Sequence, residues 1–73
     1  MGALIAKNKK LYILRNEAGL SQIECAYKLG IPTNQYAAIE QGKTRGKVNV
    51  WSNIQKLFNV PDADMWELIK GSM

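Results

Sequence analysis

Three short groups carry most of the polar chemistry of this 73-residue chain. Thr33, Asn34 and Gln35 stand directly after Pro32 and are followed by Ala37 and Ala38. Ser21 and Gln22 precede Glu24 in the run SQIE, and Lys43, Thr44, Arg45 and Lys47 crowd into the segment GKTRGK. Hydroxyls and side-chain amides donate and accept hydrogen bonds, so they can cap a helix or face a polar ligand. Small residues beside them fit an ordinary solvated helix end, and they equally fit a surface kept short so that something large can approach. The basic turn is either a solvated loop or a seat for phosphate.

Other chemistry is excluded. The chain has no histidine and a single cysteine, so it lacks the commonest general base, any internal disulfide and the ligands of a structural zinc site. Cys25 reads as a small core residue and Glu24 as a helix cap. No nucleophile–base pair stands out, and the expectation is a protein that is not an enzyme and needs no cofactor, metal or small-molecule ligand.

Charge narrows the partner. The net charge is +4, and it is unevenly spread. Residues 1–47 hold eight Lys or Arg against three Glu, a net of +5, whereas residues 48–73 hold two Lys against three acids, a net of −1. A basic face over the first two-thirds of the chain suits a polyanion. No apolar run approaches the roughly 20 residues of a membrane span, and no signal-peptide core is present. A membrane is not expected as a partner, and a reducing, cytoplasmic setting is.

These residues need elements to place them. Leu4, Leu11, Leu14 and Ala18, spaced 7, 3 and 4, predict a helix over 4–18, with Gly19 as its stop. Ser21 and Glu24 form a capping box that opens a helix over 22–29, ended by Gly30, with Cys25, Ala26 and Leu29 inward. Pro32 favours a new start and a helix over 33–41, with Tyr36 and Ile39 inward and Gly42 as the stop. A fourth helix over 48–59 turns Val50, Ile54, Leu57 and Phe58 inward beside Trp51. Pro61 and Asp62 open a fifth, with Met65, Leu68 and Ile69 on its apolar face and Gly71 at its end. No strand alternation appears. The expected fold class is all-α, five short helices in one domain over 1–73 with its core at about 8–71.

Two short helices joined by a turn containing glycine make a helix-turn-helix, whose second helix enters the DNA major groove. Leu20-Ser21-Gln22, Ala26, Leu29-Gly30, Ile39-Glu40 and Gln41-Gly42 together resemble the helix-turn-helix of the lambdoid-phage repressor and Cro family. Leu14-Arg15 before it and the run LFNVP at 57–61 keep the same register. The resemblance implies a lambda-repressor-like DNA-binding domain, with base reading by Thr33, Asn34, Gln35, Ala37 and Ala38. Asparagine can bond adenine N6 and N7 together, and Ala or a Thr methyl can pack on a thymine methyl. It implies phosphate contact by Ser21, Gln22, Gln41, Lys43, Thr44, Arg45 and Lys47, and an internal ion pair between Arg15 and Glu40. Departures are Pro32, which removes the usual hydroxyl cap, Cys25 in place of a core leucine, Ile23 where a polar residue is common, and Ala38, which lacks a long amide.

The implied function is a sequence-specific, double-stranded-DNA-binding regulator of transcription, repressor-like, in a bacterial cell or a phage-infected host. The alternative is a protein-interaction module of the same fold, of the antitoxin or anti-repressor type. One helix-turn-helix covers one groove segment, so a weak homodimer, firmer on DNA, is expected through Met65, Trp66 and Ile69. The chain ends about where the fifth helix ends, so no separate sensing or oligomerisation domain is expected.

Overall fold

The structure, a computed structural model, describes residues 7–73. Five α-helices follow one another: α1 (Lys9–Glu17), α2 (Gln22–Leu29), α3 (Thr33–Glu40), α4 (Val48–Phe58) and α5 (Asp62–Lys70). No strand occurs among the described residues. The class is all-α, as the apolar spacing predicts, and no helix among the described residues is long and apolar enough to cross a membrane.

The helix ends follow local chemistry. Ser21 and Glu24 satisfy each other's backbone: the Glu24 N–H donates to Ser21 Oγ at 3.0 Å and the Ser21 N–H to the Glu24 carboxylate at 2.8 Å. The bond from the Ser21 backbone N–H, followed by the Ser21 side chain, holds the Glu24 carboxyl below its ordinary pKa. Gly30 closes α2 in the left-handed region at φ 72°, where a residue with a Cβ is strained. Helices α3 and α4 each stop one residue short of the expected end, Gln41 and Asn59 acting as their C-caps.

The start of α1 departs further from the expectation. Lys7 and Asn8 lie outside the helix, and Asn8 caps it by accepting from the Leu11 N–H at 3.1 Å. A side-chain oxygen that takes a first-turn N–H competes with further helix upstream, so the helix begins there. Leu4, assigned to the same inward face, lies outside the described residues.

The core gathers one face of every helix. Leu11 comes from α1, Cys25, Ala26 and Leu29 from α2, Tyr36 and Ile39 from α3, Val50, Trp51 and Ile54 from α4, and Leu68 from α5. Leu57, Phe58, Met65 and Ile69 are half-buried at its margin. Cys25 is a free, fully buried thiol, and burial pushes its pKa up. Trp66, expected at a joint between copies, is 57 % exposed in the single chain. It sits two residues before Leu68, so it points away from the face that Leu68 buries.

A polar hub lies inside this core. Arg15 reaches Glu40 through two bonds, Nε to Oε2 at 2.8 Å and an Nη to Oε1 at 3.1 Å. Glu40, 2 % exposed, also accepts from the Gln22 amide at 2.9 Å and from the Tyr36 hydroxyl at 2.8 Å. Burial alone raises the Glu40 pKa, but the bonds from Arg15, Gln22 and Tyr36 outweigh it and hold the carboxyl below its ordinary value. The Arg15 guanidinium is shifted up, chiefly by its bond to Glu40.

Removing one partner of such a pair costs about 3–5 kcal/mol. Arg15→Met should therefore lower the melting temperature by more than about 12 °C, at roughly 4–8 °C per kcal/mol for a domain this small. Thermal melts of Arg15→Met, Glu40→Gln and the double variant complete a cycle, and a coupling energy near zero would contradict the pair. The pH dependence has a definite sign. A depressed folded-state pKa adds stability that is full above the unfolded value, about 4.3, and is lost as pH falls through the folded value. Glu40→Gln should flatten that acid limb.

Candidate nucleic-acid interface

The turn between α2 and α3 is only three residues, Gly30, Ile31 and Pro32. The Ile31 N–H returns to the Ala26 carbonyl at 3.1 Å, and the Ile31 side chain packs against the core. The turn is thus pinned at both its backbone and its side chain. Pro32 takes the N-cap of α3 at φ −62°, ψ 149° and offers no side-chain cap. The hydroxyl bond missing there does not pass to Thr33.

Helix α3 divides cleanly. Tyr36, Ile39 and Glu40 are buried, Thr33 and Asn34 are exposed, and Gln35, Ala37 and Ala38 are half-buried. Helical spacing places Ala37 one turn behind Thr33, and Ala38 one turn behind Asn34. The outward face therefore runs from short polar side chains to methyl groups, and it brings the α3 backbone close to the surface.

Residues from separate segments meet in front of this helix. Ser21, Gln22, Thr33 and Gln41 border one open cleft, together with Tyr12, Arg15, Ile23 and Glu40. Gln22 is turned partly inward, one amide hydrogen held by Glu40. The Ser21 hydroxyl accepts from the Glu24 N–H at the mouth of the cleft. Tyr12 and Ile23 escaped the sequence analysis as cleft residues. Tyr12 lies one turn ahead of Arg15, whose guanidinium sits 5.4 Å from its ring centroid. That i, i+3 spacing was the available signal.

The basic residues form a second cluster. Gly42, Lys43, Thr44, Arg45 and Gly46 border a recess with Ser72 and Met73. Its backbone is anchored while its cationic side chains make no ion pair among the described residues; Thr44 Oγ1 accepts from the Gly46 N–H at 3.4 Å. The Lys43 N–H bonds the Ala38 carbonyl at 2.8 Å, and the Trp51 indole N–H bonds the Arg45 carbonyl. Lys43, Thr44, Arg45 and Lys47 remain exposed. Lys47 borders neither the cleft nor the recess. A cation on a fixed backbone is what a phosphate contact needs. Among the described residues, no group of three or more His, Cys, Asp or Glu is placed to hold a metal ion.

A family model described as helix-turn-helix matches residues 11–64, from the first turn of α1 into the first turn of α5. Searches of the curated proteins and of the solved structures returned no match.

The Ser21–Glu24 box at the mouth of the cleft gives a direct test of how α2 is set. Ser21→Ala should cost about 1 kcal/mol of stability, read as a lowered melting temperature. Ser21→Asp, an equally good N-cap, should restore it. Equal melting temperatures for all three proteins would show that the cap contributes nothing.

Proposed function

This chain belongs to the helix-turn-helix family of the Cro/C1 type, and on that premise we propose that it regulates transcription as a sequence-specific, repressor-like binder of double-stranded DNA. Helix α3 lies in the major groove. Thr33 and Asn34 read base edges from its exposed front, with Gln35, Ala37 and Ala38 beside them. Ser21, Gln22 and Gln41 at the cleft, and Lys43, Thr44, Arg45 and Lys47 at the basic loop, hold the phosphates on either side. The observation that carries the reading is the short-chained, exposed front of α3, which opens on the polar cleft at Thr33 and is followed in the chain by the exposed basic loop. Phosphate contacts fix register, and base edges then supply sequence.

In this reading the chain is one domain over 1–73 that acts as a pair. A single unit covers one groove segment, whereas regulators need two half-sites. The exposed Trp66 and the half-buried Met65 and Ile69 of α5 offer apolar surface for a second copy. The setting is the cytoplasm of a bacterial cell or a phage-infected host, and no cofactor, metal or catalytic group is required.

A second reading, as a protein-docking module of the same fold, draws on α2. Ile23 is 68 % and Tyr27 86 % exposed, and they are one turn apart on the same helix. A mobility shift with mixed-sequence duplex at low salt separates the two readings. Retarded complexes that dissolve as salt rises support DNA binding, and none at any salt favours docking.

Base reading and phosphate gripping leave different marks. Lys43→Ala and Arg45→Ala should each weaken binding to every duplex alike and reduce the slope of log affinity against log salt by about one unit. Asn34→Ala should cost about 1–3 kcal/mol on the preferred site and relax one base position. A uniform loss for Asn34→Ala, or an altered base preference for either cation variant, would reverse the assignments. Footprinting on a selected site should show two protected half-sites with centres about 34 Å apart. Protection of one half-site by one chain per duplex would remove the pair.

A further inference from the structure

The chain just ahead of α1 meets the basic loop in a way the sequence does not announce. Asn8 fixes it there. Its backbone N–H donates to the Glu40 carbonyl at 3.0 Å. Its side-chain amide donates to the Leu68 carbonyl and to Ser72 Oγ, both at 2.8 Å, and the Ser72 hydroxyl passes on to the Ile39 carbonyl at 2.7 Å. With Asn8 buried and bonded on every side, the residue before it has little freedom.

That residue is Lys7, and its aliphatic stem lies across Gly42. A Cβ on Gly42 would stand 2.4 Å from Lys7 Cδ and 2.9 Å from Lys7 Cβ, closer than any real side chain tolerates. Gly42, left-handed at φ +75°, is thus bare at the place where the stem is seated. Lys7 is exposed, and its ammonium is one methylene beyond Cδ. Gly42 also opens the recess bordered by Lys43, Thr44 and Arg45, so the seat brings a further cation to that loop.

We propose that Lys7 is a phosphate-binding residue, a cation supplied from ahead of α1 that completes the grip of loop 42–47 on a duplex backbone. The proposal rests on the DNA-binding reading above. A lysine whose stem already lies on the protein while its head stays in water keeps its charge hydrated and loses less rotamer freedom on meeting a phosphate. Lys10 is the natural contrast. It borders a separate groove with Asp64 and Glu67, acids that repel a phosphate backbone.

The test compares full-length Lys7→Met, Lys7→Arg and Lys10→Met with the unaltered chain. Methionine keeps an apolar stem on Gly42 and removes only the charge. Fluorescence anisotropy with several mixed-sequence duplexes, from about 50 to 200 mM salt, reads the salt slope. Lys7→Met should make it shallower by about one unit on every duplex, with the melting temperature unchanged. Lys7→Arg and Lys10→Met should keep the full slope. An unchanged slope for Lys7→Met, while the unaltered chain still binds, overturns the proposal and leaves the DNA reading standing. An equal fall for Lys10→Met overturns it too, because net charge would then account for the effect. Absence of salt-dependent binding by the unaltered chain removes the DNA reading itself, and Lys7 with it.

Discussion

The arrangement of this protein depends on one buried carboxylate. Glu40 accepts from Arg15 on α1, from Gln22 at the start of α2 and from Tyr36 one turn back on α3. Each donor belongs to a different helix, and each bond has a direction as well as a length. Arg15 extends the tie with a further bond from its guanidinium to the Leu20 carbonyl at 2.8 Å, in the connection that leads to Ser21. The start of α2 and the front of α3 therefore face one cleft at a fixed relative angle, and Ser21, Gln22 and Thr33 inherit their places from it.

The basic loop is held by other means, and the difference matters for what it can do. Its fixed points are mostly backbone carbonyls and N–H groups, joined by the Trp51 indole on the Arg45 carbonyl and by the Thr44 hydroxyl, which accepts from the Gly46 N–H at 3.4 Å. No cation of the loop is spent on holding it. Lys43 and Arg45 make no ion pair among the described residues, so both can meet a polyanion without first breaking a bond. The two clusters thus divide the work: directional side-chain bonds set the helices, and backbone bonds set the loop.

Much of this was legible in the sequence because it is local. The capping box at Ser21 and Glu24, the left-handed stop at Gly30 and the inward spacing of Cys25, Ala26 and Leu29 all act within a few residues, and helix α2 matches its expected bounds. The start of α1 was not. Leu4 and Leu11 share a helical spacing, yet Asn8 between them bonds Leu68 and Ser72, 60 and 64 residues away. Nothing near Asn8 in the sequence encodes so distant a partner. Tyr36 shows the same limit from the other side. Its apolar spacing placed it in the core, but that its hydroxyl would serve Glu40 depended on how α1, α2 and α3 come together. The seat of Lys7 on Gly42 was hidden likewise, since a glycine after a helix already has a sufficient local reason to be there.

A buried ion pair is a poor source of net stability, because well-packed apolar residues of similar volume often do as well or better. In a chain this short the alternative is nonetheless weak. Roughly 60 % of the unfolded surface is buried in a domain of this size, and only Leu11 of α1 is a fully buried hydrophobic. Leu11, with the half-buried Leu14 packed beside it, resists separation of α1 from the core but does little against sliding or rotation, since apolar contact is non-directional. The planar guanidinium fork meeting a carboxylate on two bonds fixes both. What Arg15 and Glu40 contribute is therefore orientation, in a molecule whose apolar contacts are non-directional and whose α3 takes its angle to α1 and α2 from these bonds.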